Sequence, residues 1–377
     1  MVSLVRNCES AWLDCHGQKG ARGLTCERLG QQPGLPVDNQ AMHFLKGWSP
    51  RTVGLAAAVI TVTIWTAFIV IARASAKGSL TPFDIALARI AGASLVLVPL
   101  GAWLVRRDRA IPGQPGGGAS SFFGLSPLAL RVTAACGLFG GLGYATLAYS
   151  GFFYAPAVHA SVLLPGSLPL WTTLLALFVL HDRITPARTI GLACIVVGDL
   201  LVGGASLLRA FDGGEVWKGD LLFMAAAMCW AVYSVLARRH ALDAVRATAA
   251  ITVFALFSYV PSYALLLALG VLQSHLLTAP LGEVLFQVLF QGVGSVVISG
   301  VTFTKMIQHF GPVRSTMITA LVPGLSALGA VIFLGEPLYW NLLAGLVLVT
   351  VGILFGVRKA AAIKTEAPGA NSTGAKA

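Results

Sequence analysis

VTAACGLFGGLGYATLAYSGFFYAPAVHASVLLPGSLPLWTTLLALFVL, residues 132–180, runs for 49 residues without a Lys, Arg, Asp or Glu. A helix needs about 20 apolar residues to cross the hydrocarbon core of a bilayer. The stretch is too long for one crossing and long enough for two. Gly151 to Pro156 supplies the break between them, since proline removes a backbone donor and stops a helix. Two crossings joined by so short a turn run antiparallel. In lipid every backbone polar group needs an internal partner, so each crossing is a helix.

Working outward, the same signal recurs on both sides. Residues 53–72 carry no charge, and residues 83–105 form a second span interrupted by Asp84 and Arg89. A fifth span covers 186–208. Further spans fall at 221–237, 247–272, 284–304, 315–334 and 338–357. The pattern predicts an all-α membrane protein with ten transmembrane helices. Composition agrees: 56% of the 377 residues are hydrophobic and 11% are charged, against about 25% charged in soluble domains.

The net charge of +11 does not point to nucleic acid, because the basic residues sit in short segments between apolar runs. With the N-terminus in the cytoplasm, the inside segments hold 21 Lys and Arg and the outside loops hold four: Arg73, Lys77, Arg209 and Lys218. The positive-inside rule therefore predicts both termini in the cytoplasm. Residues 1–50 mix Gly, Pro, Gln and charges and are expected to be a disordered tail. Met42, just before the first span, is an alternative start. Residues 358–377 are expected to be a cytoplasmic tail. Cys136, Cys194 and Cys229 lie in apolar runs and read as packing residues.

The chain also repeats. Trp65 recurs as Trp230, and Ala72-Arg73 as Ala237-Arg238, at a spacing of 165. Pro169, Asp182, Gly191 and Gly198 recur as Pro323, Glu336, Gly345 and Gly352, at a spacing of 154. Residues 53–208 and 217–357 then form two five-helix halves. Five is odd, so the second half enters the membrane from the opposite side. Inverted repeats of this kind are a common design for carriers that alternate between two open faces.

Ile64-Trp65-Thr66, Leu80-Thr81-Pro82 and Leu87-Ala88-Arg89 resemble the opening of the EamA-type domain, of the drug/metabolite transporter superfamily. Leu334-Gly335-Glu336-Pro337, followed by Gly345 and Gly352, resembles that domain's closing helix pair. The first half departs from the pattern with Leu180-His181-Asp182. The resemblance implies two bundled halves around a central cavity, alternating access, and substrates such as amino acids, metabolites or drugs. Many bacterial members look like exporters of the inner membrane. It implies a small-molecule substrate and no cofactor.

Several residues are candidates for the site. Trp65 lies about 18 Å along its helix at 1.5 Å per residue, and Trp230 lies at a similar depth from the other side. Tryptophan prefers the membrane interface, so two tryptophans near midplane suggest a cavity wall, with helix packing as the plainer alternative. Tyr233 shares the face of Trp230. Arg89, with Asp84 as a possible partner, can meet a substrate carboxylate or brace the backbone. Tyr149 and His159 stand near the outer mouth. Gln287, Gln291 and Ser295, at i, i+4 spacing, make a polar stripe that must face protein or water. Asp199 sits deep in the fifth span and is a candidate for proton coupling. Glu336-Pro337, like Thr185-Pro186, reads as the cap of the helix that follows.

A membrane enzyme would need a cluster of His, Asp, Ser or Cys at one depth, and the sequence shows no HExxH, CxxC or phosphate-binding loop. A non-transporting receptor or scaffold would leave an inverted repeat with polar midplane residues without a purpose. A carrier accounts for both.

Overall fold

The computed structural model describes residues 50–110, 120–179 and 185–357. The N-terminal tail to Ser49 with Met42, the His181-Asp182 pair and the C-terminal tail lie outside the described residues. Helices form nearly all the regular structure described. Eight are long and apolar enough to cross a membrane. They are α1 (Arg51–Ser75), α2 (Pro82–Arg109), α3 (Leu130–Tyr154), α4 (Ala157–Val179), α5 (Pro186–Leu208), α6 (Val216–Arg239), α7 (Ala244–Ala268) and α8 (Leu281–Ile307). α9 (Leu321–Leu334) and α10 (Trp340–Phe355) are apolar but shorter.

The difference from the expected ten full spans lies largely at the eighth and ninth. Helical structure continues past α8 to Thr319, so residues 315–319, expected to open the ninth span, close the eighth instead. Lys305 suggested an end to the eighth span. A charge marks where a helix leaves hydrocarbon, not where its hydrogen bonding stops.

Local chemistry explains the helix ends. Thr81 Oγ1 accepts the Asp84 amide at 3.2 Å while Asp84 Oδ2 accepts the Thr81 amide at 3.0 Å, a reciprocal capping box. Pro82 fills the first turn, where a missing N–H costs nothing. Asp243 caps α7 by accepting the Arg246 amide. Gly335 ends α9 at φ 65°, a left-handed conformation that suits glycine. Two helices carry wide π turns: Leu138–Gly143 in α3 and Val288–Ile298 in α8. Such turns insert extra residues per turn and are frequent at functional sites.

Neighbouring helices are mostly distant in sequence. α1 packs on α8 and α9, and α6 packs on α3 and α4. α2 packs on α8 and α7, and α7 on α3; α4 meets α9, and α5 meets α10. Exchanging α1–α5 with α6–α10 sends this set of neighbours onto itself.

The backbones of α5 and α10 approach closely. A Cβ on Gly198 would strike the Gly345 carbonyl, and one on Gly352 would strike the Gly191 carbonyl. Small residues allow such approach, which is how helices gain van der Waals contact where lipid offers no hydrophobic drive. The contacts are crosswise. Gly191 meets the repeat counterpart of Gly198, and Gly198 meets the counterpart of Gly191. A self-complementary surface makes contacts of this kind around a two-fold axis. Large apolar side chains such as Leu95, Phe178, Ile190 and Phe333 remain exposed on the outside. That is unfavourable in water and neutral against acyl chains.

Candidate functional site

A cavity of about 510 Å³ lies between the two halves, inside the roughly 300–1,000 Å³ range of small-molecule sites. α1 contributes Trp65 and α8 contributes Phe303, their ring centroids 5.0 Å apart. Facing elements contribute Tyr144, Trp230 and Tyr233, with Trp230 centred 4.8 Å from Tyr144 and 5.2 Å from Tyr233. The two repeat-related tryptophans thus stand on one cavity wall each, from different halves.

Arg89 on α2 lines the same space. Its Nη1 donates to Ser295 Oγ at 3.0 Å, to the Gln291 carbonyl at 3.3 Å and to Tyr149 Oη at 3.5 Å. Its guanidinium also lies 5.6 Å from the Phe68 ring centroid. Tyr149 Oη donates in turn to Gln291 Oε1 at 2.9 Å. The π turn of α8 therefore delivers a backbone carbonyl, an amide side chain and a hydroxyl to one cation and its tyrosine neighbour.

The other sequence candidates separate from the cavity. Gln287 is buried and donates to Ser75 Oγ at 2.7 Å. Gln291 and Tyr149 are buried behind Arg89, and Ser295 is the member of the stripe that reaches the cavity. His159 Nδ1 meets Asp220 Oδ1 at 2.9 Å, and Ser206 donates to the second oxygen of Asp220. Asp199 is buried with neither carboxylate oxygen hydrogen-bonded to the described residues, and it does not line the cavity.

Two pairings differ from the sequence expectation. Asp84 does not partner Arg89. It accepts the Ser274 hydroxyl at 2.9 Å and the His275 amide at 3.0 Å, along with Tyr263 Oη. It opens α2, and the side chain points to the end of α7. Glu336 does not cap the helix that follows it. It accepts the Ala157 and Val158 amides, each at 3.1 Å, so it caps the start of α4. It also pairs with Arg73 Nε at 3.2 Å. The left-handed turn at Gly335 breaks the helical path just before Glu336, which reaches back across the bundle.

The cavity is asymmetric along the helix axes. Its lining continues through Ala237, Thr304 and Thr319 to the exposed Ala244. At the opposite end, Arg73 donates to the Phe152 carbonyl at 2.5 Å as well as to Glu336. Phe152, Phe223 and Ala155 are buried there. These two regions are called the Ala244 end and the Arg73 end below. Sequence reading missed Tyr144 and Phe303 as wall residues and counted Arg73 only as a loop charge. The signal for Tyr144 was a tyrosine in the glycine-rich part of α3, where side chains of neighbouring helices pack against the backbone.

A helical bundle with an aromatic cavity between two similar halves belongs to the class of membrane carriers. The model of the EamA-like transporter family matches residues 52–204 and 217–358, and the chain belongs to that family, within the drug/metabolite transporter superfamily. It is a multi-pass membrane protein of transporter type. It is 25% identical over 228 residues to the "Uncharacterized transporter YyaM" of Bacillus subtilis (strain 168), a match covering 58% of this chain and 70% of that protein. A solved structure titled "Crystal structure of protein" is 22% identical, covering 81% of this chain and 97% of its own, with a TM-score of 0.48.

Proposed function

We propose that the protein is a secondary transporter that exports small organic metabolites across the cell inner membrane by alternating access. Its ten helices form two inverted five-helix repeats, and both termini face the cytoplasm. The observation that carries this reading is the one-sided cavity. Both halves line it, and at the Arg73 end residues of one half are bonded to residues of the other. The positive-inside pattern assigns the Ala244 end to the cytoplasm, so the conformation is inward-facing.

Substrate binds from the cytoplasm among Trp65, Trp230, Tyr144 and Tyr233, beside Arg89. The halves then rock, the contacts of Arg73 and Glu336 part, and the Ala244 end closes. Outward direction follows from the family resemblance. Asp199 is assigned no coupling role, because it stands away from the cavity without a partner among the described residues.

The test is a metabolite screen with purified protein in liposomes, with and without a pH gradient. Saturable movement of an organic solute, lost on Trp230→Ala, is the expected result. Failure to move any solute, together with tight binding of a protein partner, would establish a receptor or scaffold instead.

A further inference from the structure

The charge inventory of the cavity selects among substrates. Among the described residues Arg89 is the cationic side chain in the lining, and no Asp or Glu lines it. Among the described residues Arg89 has no carboxylate partner. All three of its protein hydrogen bonds leave from Nη1. Nε and Nη2, the edge that forms a two-pronged pair with a carboxylate, make no hydrogen bond to described residues. Neither atom is among the sealed, unpartnered polar atoms of the interior.

A guanidinium within a membrane span is costly, and proteins answer that cost with counter-ions, dipoles or water. Here three neutral oxygens and the Phe68 ring hold one side of the group, and the other side meets the cavity. The structure supplies the position of the charge but not its counter-ion. An anionic ligand would supply it.

The walls set the rest of the ligand. Trp65 and Phe303 on one side, and Trp230 with Tyr144 on the other, offer apolar faces to a ring or a branched chain. A ligand ammonium would find no carboxylate in the lining and would sit in the field of Arg89. Aromatic walls attract cations, but two like charges a few ångströms apart in a site poor in water repel more strongly than a ring attracts. Repulsion wins.

We infer that the transported species is an organic carboxylate with an aromatic or branched apolar body and no ammonium group, its carboxylate held by the free edge of Arg89. This rests on the transporter reading and narrows it, since amino-acid zwitterions and cationic drugs are excluded.

The experiment uses the full-length protein in detergent and in liposomes at neutral pH. Four probes share one ring and chain and differ at the head: phenylpropionate, phenylalanine, phenylpropylamine and phenylpropanol. Binding is read by quenching of tryptophan fluorescence, and transport by counterflow. Phenylpropionate is expected to bind at least about tenfold tighter than any of the others, as a charge-assisted pair is worth roughly 1.5–3 kcal/mol. Arg89→Gln should abolish that preference, while Arg89→Lys keeps a weakened form of it. The probe series on the unaltered protein does not depend on any variant folding.

Tighter binding of phenylalanine or the amine would overturn the inference and leave the transporter reading standing. Equal binding of phenylpropanol and phenylpropionate would overturn it too. If no solute of any class binds or moves, the transporter reading falls with it.

Discussion

At the Arg73 end, side chains from one half are met by groups from the other at several places. Arg73 meets Glu336, Ser75 meets Gln287, Asp84 meets Tyr263 and Ser274, and His159 and Ser206 meet Asp220. At the Ala244 end, Arg246 reaches across to Asp108 through two bonds of 2.6 and 2.8 Å, and the cavity lining runs out to the exposed Ala244 beside it. The Ser75, Tyr263 and Ser206 bonds at the first end are buried, and the others are partly buried. The Arg246 pair is partly wet, with 28% of the Arg246 side chain exposed. Burial raises the worth of a polar contact and the penalty for losing one partner. The Arg73 end thus has contacts that are costly to break singly, whereas the Arg246 pair is one that water can replace.

The largest effect is expected from Glu336→Ala. It leaves two backbone amides and Arg73 without their acceptor, at a cost of about 3 kcal/mol in stability of the closed end. In a background without native cysteines, a cysteine at the buried Ala155 should change from unreactive to readily labelled by a water-soluble maleimide. Unchanged labelling would mean that Glu336 does not hold this end shut.

A smaller effect is expected from Arg246→Gln at the other end. A partly exposed ion pair contributes about 0.2–1 kcal/mol. Labelling at Ala155 should stay low, and the melting temperature in detergent should fall by no more than a few degrees. A loss as large as that of Glu336→Ala would show the two ends to be equally fastened.

The smallest effect belongs to Asp199→Asn. Both carboxylate oxygens lack partners among the described residues, and asparagine has nearly the same shape as aspartate. Transport and its dependence on a pH gradient should stay as they are. A variant that still moves solute but no longer responds to the gradient would return Asp199 to the mechanism as a proton carrier.

The positions of the helices were legible because hydrocarbon imposes a length and a composition on every crossing. The break near Pro156 is local, so a short window contains all the groups involved. The eighth span was harder. Its polar stripe at Gln287, Gln291 and Ser295 was visible, but an i, i+4 spacing assumes a regular α-helix. The chain there is π-helical, a choice made by the neighbours that take up those groups. Glu336 was visible as a helix cap, but its amide partners lie 178 and 179 residues away. No sequence window contains such a pairing. The cavity was half legible. Repetition marked Trp65 and Trp230, whereas Tyr144 and Phe303 do not recur as the same residue at either spacing.

The crosswise glycine contacts of α5 and α10 bear on how such a molecule could be assembled. A surface that fits an inverted copy of itself needs no particular covalent joint. Residues 209–215, between α5 and α6, are not among those lining the cavity. Two separately synthesised halves, inserted in opposite senses, would carry in their final helices the means of recognising each other.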